Sequence, residues 1–416
     1  MMWRRVLSML AVIVMAFGGD AWADPEQEAQ PPAPSAGESR EEEVQARRRT
    51  KASQLRPLQP NRVEATLFHI EDTRFFTRIF NPPQGPLAVV GGPGEGSGFG
   101  GGGGYRVGTE TVNLSLVATG SFKQYWQLET LFRAQDLIGG RGYVELGARH
   151  RDAPEENFFG LGPGAPLSDR TNYTLKMTTL TGGGGVELGR RTTVSAGVEY
   201  LRPRVRSGGS DVHLSIEERF TDREAPGLTA EPQLLYAEAR LSYEGRDQPG
   251  NPRRGGHYAL AWGHASDLDE DRYAFQRLML DLEQVVPFWS DQRRLVLRGV
   301  AIQTDPDAGQ EVPFYLMPTL GGGTTLRGFK TNRFRDRSAV LLRAEYRYDL
   351  NAFLVGALFA DAGQVAPTWR AMRRRDFERN YGFGLRFGGP TVVLRADVAF
   401  ASGEGTRFVL RFGGVF

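Results

Sequence analysis

The sequence predicts an all-β chain folded as an antiparallel transmembrane β-barrel, most simply one of 16 strands. Three observations carry that expectation. Apolar and polar residues alternate with a period of two through most of residues 98–416, with turn signals between the runs and no helical stretch. The amino terminus has the form of an export signal. The chain contains no cysteine, so disulfides cannot staple an exported fold and the core must come from packing or from a membrane.

In chain order, residues 1–23 read as a cleaved signal peptide. MMWRR supplies the positive start, residues 6–17 the apolar run, and Ala21, Trp22 and Ala23 a small-x-small cleavage site before Asp24. That run is too short to span roughly 30 Å of hydrocarbon as an anchor. Residues 24–60 are rich in Glu, Pro, Ala and Arg and predict a flexible periplasmic leader. Residues 61–97 form a lead-in segment. Phe68, Phe75, Phe76 and Ile79 share one face at helical spacing there, which fits a short amphipathic helix or an irregular approach to the first strand.

The barrel is expected over 98–416. Alternation places strands at 98–107, 110–121, 124–135, 141–151, 171–187, 191–202, 210–219 and 233–244. Further runs fall at 256–266, 272–286 and 293–303, and five more at 338–349, 353–361, 379–388, 391–400 and 407–416. The pattern is plainest near the end. Val340, Leu342, Ala344, Tyr346 and Tyr348 alternate with Arg343, Glu345, Arg347 and Asp349; Val392, Leu394, Ala396, Val398 and Phe400 alternate with Arg395 and Asp397. Such alternation also suits a half-buried soluble sheet. Repetition without helices in an exported chain favours the membrane, where a sheet must close because open edges go unsatisfied in hydrocarbon. The 53 glycines, 11% aromatics and 24% charged residues fit a barrel, and equally a soluble sandwich or solenoid. A net charge of +2 with the two signs interleaved argues against a nucleic-acid partner.

The longest interruption, residues 304–337, contains LGGGTTLRGF at 320–329. Around it, in order, stand FFGLG (158–162), RDQPGNPRRG (246–255), LRAEYRYDL (342–350), LFADAG (358–363), YGFGLRF (381–387) and a terminal Phe416. This ordered set, spanning roughly 98–416, resembles the BamA/TamA family of outer-membrane assembly barrels, the bacterial surface antigen superfamily. The sixth extracellular loop of that family carries a GG…VRGF motif. Here the motif residues are Gly321, Gly322, Leu326, Arg327, Gly328 and Phe329, with Leu326 where Val is commonest. The five strands after the loop agree with a sixteen-stranded family barrel.

Alternation points Glu345 into the lumen, and Asp361 on the following strand. The resemblance implies that the loop folds inward and that Arg327 pairs with these two acids. The alternative is that all three are ordinary solvated lumen charges. The resemblance further implies an outer-membrane location in a Gram-negative-type envelope and a role in insertion or translocation of a protein or lipid. Partners would be the lipid bilayer, lipopolysaccharide, unfolded outer-membrane proteins and periplasmic accessory proteins. Family members usually carry POTRA domains ahead of the barrel; residues 24–97 show no β-α-α-β-β pattern, so a plugged pore or structural barrel stands as the alternative.

Three other signals carry less weight. Residues 96–101 (GSGFGG) match a dinucleotide fingerprint, but ten of the fourteen residues 91–104 are Gly and no βαβ unit follows, so a thin glycine-rich first strand is the better reading. Asp267, Asp269 and Asp271 have calcium-loop spacing, with Arg272 where that loop needs Gly. His69, His150, His213, His257 and His264 are scattered without metal-ligand spacing. No catalytic residue, metal or cofactor is expected, and a lipid hydrolase is a distant third reading.

Overall fold

The computed structural model describes residues 79–388 and 394–412. They lie in the second of two units, residues 61–416. The expected signal peptide and leader, most of the lead-in helix and Phe416 lie outside the described residues.

Period-two patterning becomes one antiparallel sheet of 16 strands, each paired with its sequence neighbour. The first half comprises β1 (Gly85–Val90), β2 (Gly100–Gly108), β3 (Val112–Ser121), β4 (Trp126–Asp136), β5 (Gly142–Phe158) and β6 (Thr171–Leu188). Next come β7 (Thr192–Ser207), β8 (Leu234–Glu244), β9 (Gly255–Asp267), β10 (Phe275–Phe288) and β11 (Ser290–Pro306). A separate two-stranded ribbon, β12 (Thr319–Leu320) with β13 (Phe334–Arg335), belongs to the long loop. The sheet resumes at β14 (Ser338–Asp349), which pairs with β11, and ends with β15 (Leu354–Ala366), β16 (Glu378–Phe387), β17 (Leu394–Ala401) and β18 (Gly405–Phe412).

Alternation decides what each wall residue sees. On β14, Ala339, Leu341, Arg343, Glu345 and Arg347 are buried inward, while Val340, Leu342, Ala344 and Tyr346 take the opposite face. The outer face is apolar all round: Leu116, Leu146, Val198, Trp262, Leu297, Leu358, Phe383 and Phe408 are all exposed. So large an exposed apolar band is what hydrocarbon contact requires and water would penalise. No described helix is long and apolar enough to cross a membrane.

Antiparallel alternation sorts the connections to two ends. One end carries the long loops 159–170, 208–233, 307–337 and 367–377; the other carries short turns such as 109–111, 189–191 and 350–353. The 307–337 loop is thus the sixth on the long-loop end.

Two expectations about the strands need correction. Residues 210–219 are not a strand, although Val212, Leu214 and Ile216 alternate. Asn172 draws the segment into a loop instead, donating from Nδ2 to the carbonyls of His213 (2.8 Å) and Leu214 (3.1 Å). It then turns at Ile216–Glu218, where the Glu218 carboxylate accepts the Ser215 N–H at 2.8 Å. That Ser-x-x-Glu pattern is a capping signal in the sequence, and local turn chemistry outweighed the alternation.

Conversely, a strand lies inside the expected lead-in. β1 (GPLAVV) has no polar alternation, and its pairing comes from β2, where Leu87, Ala88, Val89 and Val90 face Gly104, Gly103, Gly102 and Gly101. The glycine-rich strand is therefore second, not first. The strand total stands because one gain offsets one loss.

Candidate functional site

Arg327 sits at the tip of the sixth loop, fully buried inside the barrel. Gly321 (φ +109°) and Gly322 (φ +104°) take a backbone conformation that side chains disfavour, and a Cβ on Gly321 would come within 2.2 Å of the Lys330 carbonyl oxygen. That turn folds the chain back, and the Gly322 N–H donates to the Phe329 carbonyl at 3.0 Å. Leu326, Phe329 and Phe334 bury themselves with Leu320 against the wall residues Ala339, Leu341 and Val365. Gly328 passes so close to β16 and β17 that a Cβ would lie 2.7 Å from the side chains of Asn380 and Ala401.

With the backbone held, the guanidinium of Arg327 reaches three carboxylates. Nε and Nη2 form a fork on Asp361 at 2.7 and 2.6 Å. Nη1 donates to Glu345 at 2.8 Å and to Asp397 at 3.4 Å. One face of the guanidinium lies 3.4 Å from the ring centroid of Phe359. Burial by itself would lower its pKa, but hydrogen bonding and charge from Asp361, with Glu345 and Asp397 behind, raise it above the ordinary arginine range. The group is a permanent cation locked by planar, bidentate geometry that a lysine cannot reproduce.

The cluster is larger than the three residues singled out from the sequence. Arg347 donates to Glu345 at 2.8 Å, Arg386 to Glu345 at 2.9 Å and to Asp397 at 2.5 Å, Arg395 to Asp397 at 2.7 Å, and Arg343 to Asp361 at 3.3 Å. Asn380 adds a donor to Asp361 at 2.9 Å. These groups come from β14, β15, β16 and β17, so the loop tip ties four consecutive strands together. Alternation could place Arg395 and Asp397 in the lumen, but no sequence signal selects them as neighbours of Arg327.

FFGLG forms the other anchor. Phe158 and Phe159 are buried beneath the loop's return strand, with Arg333 over the Phe159 ring (4.9 Å) and Arg335 over that of Phe158 (5.9 Å). The Gly162 N–H donates to the Arg335 carbonyl at 2.9 Å, and Arg335 donates to the Phe314 carbonyl at 2.7 Å. At the RDQPGNPRRG turn, Arg246 pairs with Glu244 (2.6 Å) and Glu283 (2.9 Å), while the Asp247 carboxylate accepts the Arg253 N–H at 3.0 Å. Asp267 is likewise a turn cap, accepting N–H bonds from Asp269, Glu270, Arg272 and Tyr273. Of the histidines, His264 meets Asp307 at 2.9 Å and Ser266 at 3.4 Å on β9.

Just beyond the clamped strands, at β18 beside β17, the barrel is joined differently. Among the described residues no hydrogen-bonded ladder links β1 to β18, the two ends of the sheet order. They are bridged by side chains of the 91–99 turn. Phe99 meets Phe412 edge-on at 6.5 Å, and Glu95 lies 3.5 Å from Arg411 while also approaching Gly322 and Gly323.

Known proteins share this architecture. The barrel superposes on BamA of Haemophilus ducreyi lacking POTRA domains 1–3 with a TM-score of 0.60 at 15% identity, covering 80% of this chain and 70% of that one. It also superposes on CdiB of Escherichia coli with a TM-score of 0.53 at 11% identity, covering 80% of this chain and 62% of that one. At such identities the likeness concerns the fold. No α/β domain precedes the barrel among the described residues. The Omp85 superfamily domain matches residues 94–414, so the chain belongs to the Omp85 superfamily.

Proposed function

We propose that the protein is an outer-membrane barrel, exported through a signal peptide cleaved after Ala23, that assists insertion or translocation of a protein or lipid. The observation that carries this reading is an asymmetry. One side is clamped by Arg327 onto β14, β15 and β17, with β16 joined to the same acids through Arg386, while β18 presents an edge without a ladder to β1 among the described residues. An unpaired edge offers N–H and C=O groups that template an incoming strand. The clamp holds the rest of the wall while that edge exchanges partners. In this reading the long-loop end faces outward to lipopolysaccharide, and the short-turn end faces periplasmic accessory proteins and unfolded outer-membrane clients.

The test is folding of a small client barrel in liposomes containing the mature protein, its Arg327→Ala variant, or nothing. Acceleration by the wild type alone supports the reading. Equal folding in all three overturns it.

A plugged pore is the second reading, favoured by the sixth loop and the 91–99 turn meeting inside the barrel, where Glu95 approaches Gly322. Solute conductance that rises when residues 319–335 are deleted would support it over the first.

A further inference from the structure

Behind the Arg327 clamp, between the sixth loop and the wall, lies a cavity of about 200 Å³. Its floor is Val300, Ile302 and Leu341, and its polar rim is Thr319, Thr324 and Thr325. Four arginines line it, Arg298, Arg343, Arg395 and Arg411, and no carboxylate residue lines it among the described residues. Of the four, Arg298 is forked onto Asp281 and Arg343 donates to Asp361. We infer that this cavity is a binding site for a phosphate-type oxyanion.

Arg395 on β17 carries the inference. It is 4% exposed, and its Nε donates to Asp397, but its Nη2 is buried with no hydrogen-bond partner among the described residues. Asp397 cannot neutralise it, because the same carboxylate also receives Arg386 at 2.5 Å and Arg327 at 3.4 Å. Arg411 on β18, which also lines the cavity, has Glu95 at 3.5 Å as its ion-pair partner among the described residues. A buried guanidinium with an unused donor is costly, and an anion between Arg395 and Arg411 would supply both the charge and the acceptor.

Size fits as well. With about 30 Å³ per water molecule in the liquid, the cavity holds a tetrahedral oxyanion and a few waters. Arg395, Arg411 and the threonines that line such a volume suit an anion with several oxygens, as phosphate presents and chloride does not. The phosphate could be the free ion or the headgroup of a lipid entering beside β18; both offer the same oxygens to the same arginines.

The experiment titrates sodium phosphate into the purified full chain in phosphate-free detergent, at ionic strength held constant with chloride, and follows the unfolding midpoint by heat-modified gel mobility. The wild type should show a saturable rise with phosphate. Arg395→Met should unfold at a higher temperature than the wild type without phosphate, because the under-compensated cation is gone, and should show no rise. Asp397 keeps Arg386 and Arg327 in that variant. Thr319→Val touches no charge and should raise the half-saturating phosphate concentration roughly tenfold, the loss of one hydrogen bond to an anion. Native mass spectrometry of wild type from cells assigns the source, by an adduct with the mass of inorganic phosphate or of an intact phospholipid. No phosphate-dependent rise in the wild type, or an equal rise in Arg395→Met, overturns the site.

Discussion

The two walls of this barrel are built by opposite means. From β14 to β17 the inner face, with the loop tip on it, carries buried full charges: four guanidiniums of the wall, from Arg343, Arg347, Arg386 and Arg395, and that of Arg327 from the loop share Glu345, Asp361 and Asp397. From β1 to β3 it carries mainly small or uncharged side chains such as Leu87, Ser115, Val117 and Thr119. β2 begins with five consecutive glycines, and its backbone lies so close to β3 that a Cβ on Gly102 would come within 2.0 Å of the Ala118 carbonyl oxygen. Each charge in the first wall must be satisfied from a neighbouring strand or from the loop, so the strands there depend on one another. The glycine wall has little side-chain packing to lose when it bends. A barrel that must keep its shape while opening at one place gains from that division.

Breaking the rigid wall should have the largest effect. Arg327→Ala takes the bidentate fork from Asp361, which keeps Arg343 at 3.3 Å and the Asn380 amide, while Glu345 keeps Arg347 and Arg386. Removing one partner of a buried ion pair costs about 3–5 kcal/mol. The heat-modified mobility transition should fall steeply in temperature, with Arg327→Lys recovering only part because it lacks the fork.

The glycine wall sharpens the comparison from the other side. Gly102→Val must push β2 away from β3, an overpacking cost of about 1–3 kcal/mol. Faster amide exchange should appear at Gly101, Gly103 and their partners Ala118 and Gly120, while β14 and β15 keep their protection. Uniform loss of protection would mean the walls are not independent.

Between the two walls, Glu95→Gln removes the half-exposed pair with Arg411. Pairs of that kind contribute about 0–1 kcal/mol, so the thermal transition should barely move. A large drop would show that the 91–99 turn, and not the Arg327 clamp, sets barrel stability.

The same contrast governs how far the sequence could be read. β14 through β18 were legible because inward charges and outward apolar residues alternate cleanly, as in Arg343, Glu345 and Arg347 against Val340, Leu342 and Tyr346. β1 was not, since its identity as a strand depends on the glycines it pairs with, 11 to 17 residues later. The segment 210–219 misled because an Asn172 side chain, distant in sequence, decides its course. For the site, alternation and resemblance named Arg327, Glu345 and Asp361, and Arg327 donates hydrogen bonds to both acids. Asp397 and Arg386 reach the same place through the register of β16 and β17, which a one-dimensional pattern does not encode.

The chain has no cysteine, so the seam can be locked selectively. The decisive measurement introduces Phe99→Cys and Phe412→Cys, joins the two thiols with a short reducible crosslinker, and follows client folding in liposomes before and after reduction. The account predicts that the locked barrel is inactive, still shows wild-type heat-modified mobility, and regains client folding on reduction. Undiminished folding by the locked barrel would contradict it, because the open edge beside β18 would then have no part in the activity.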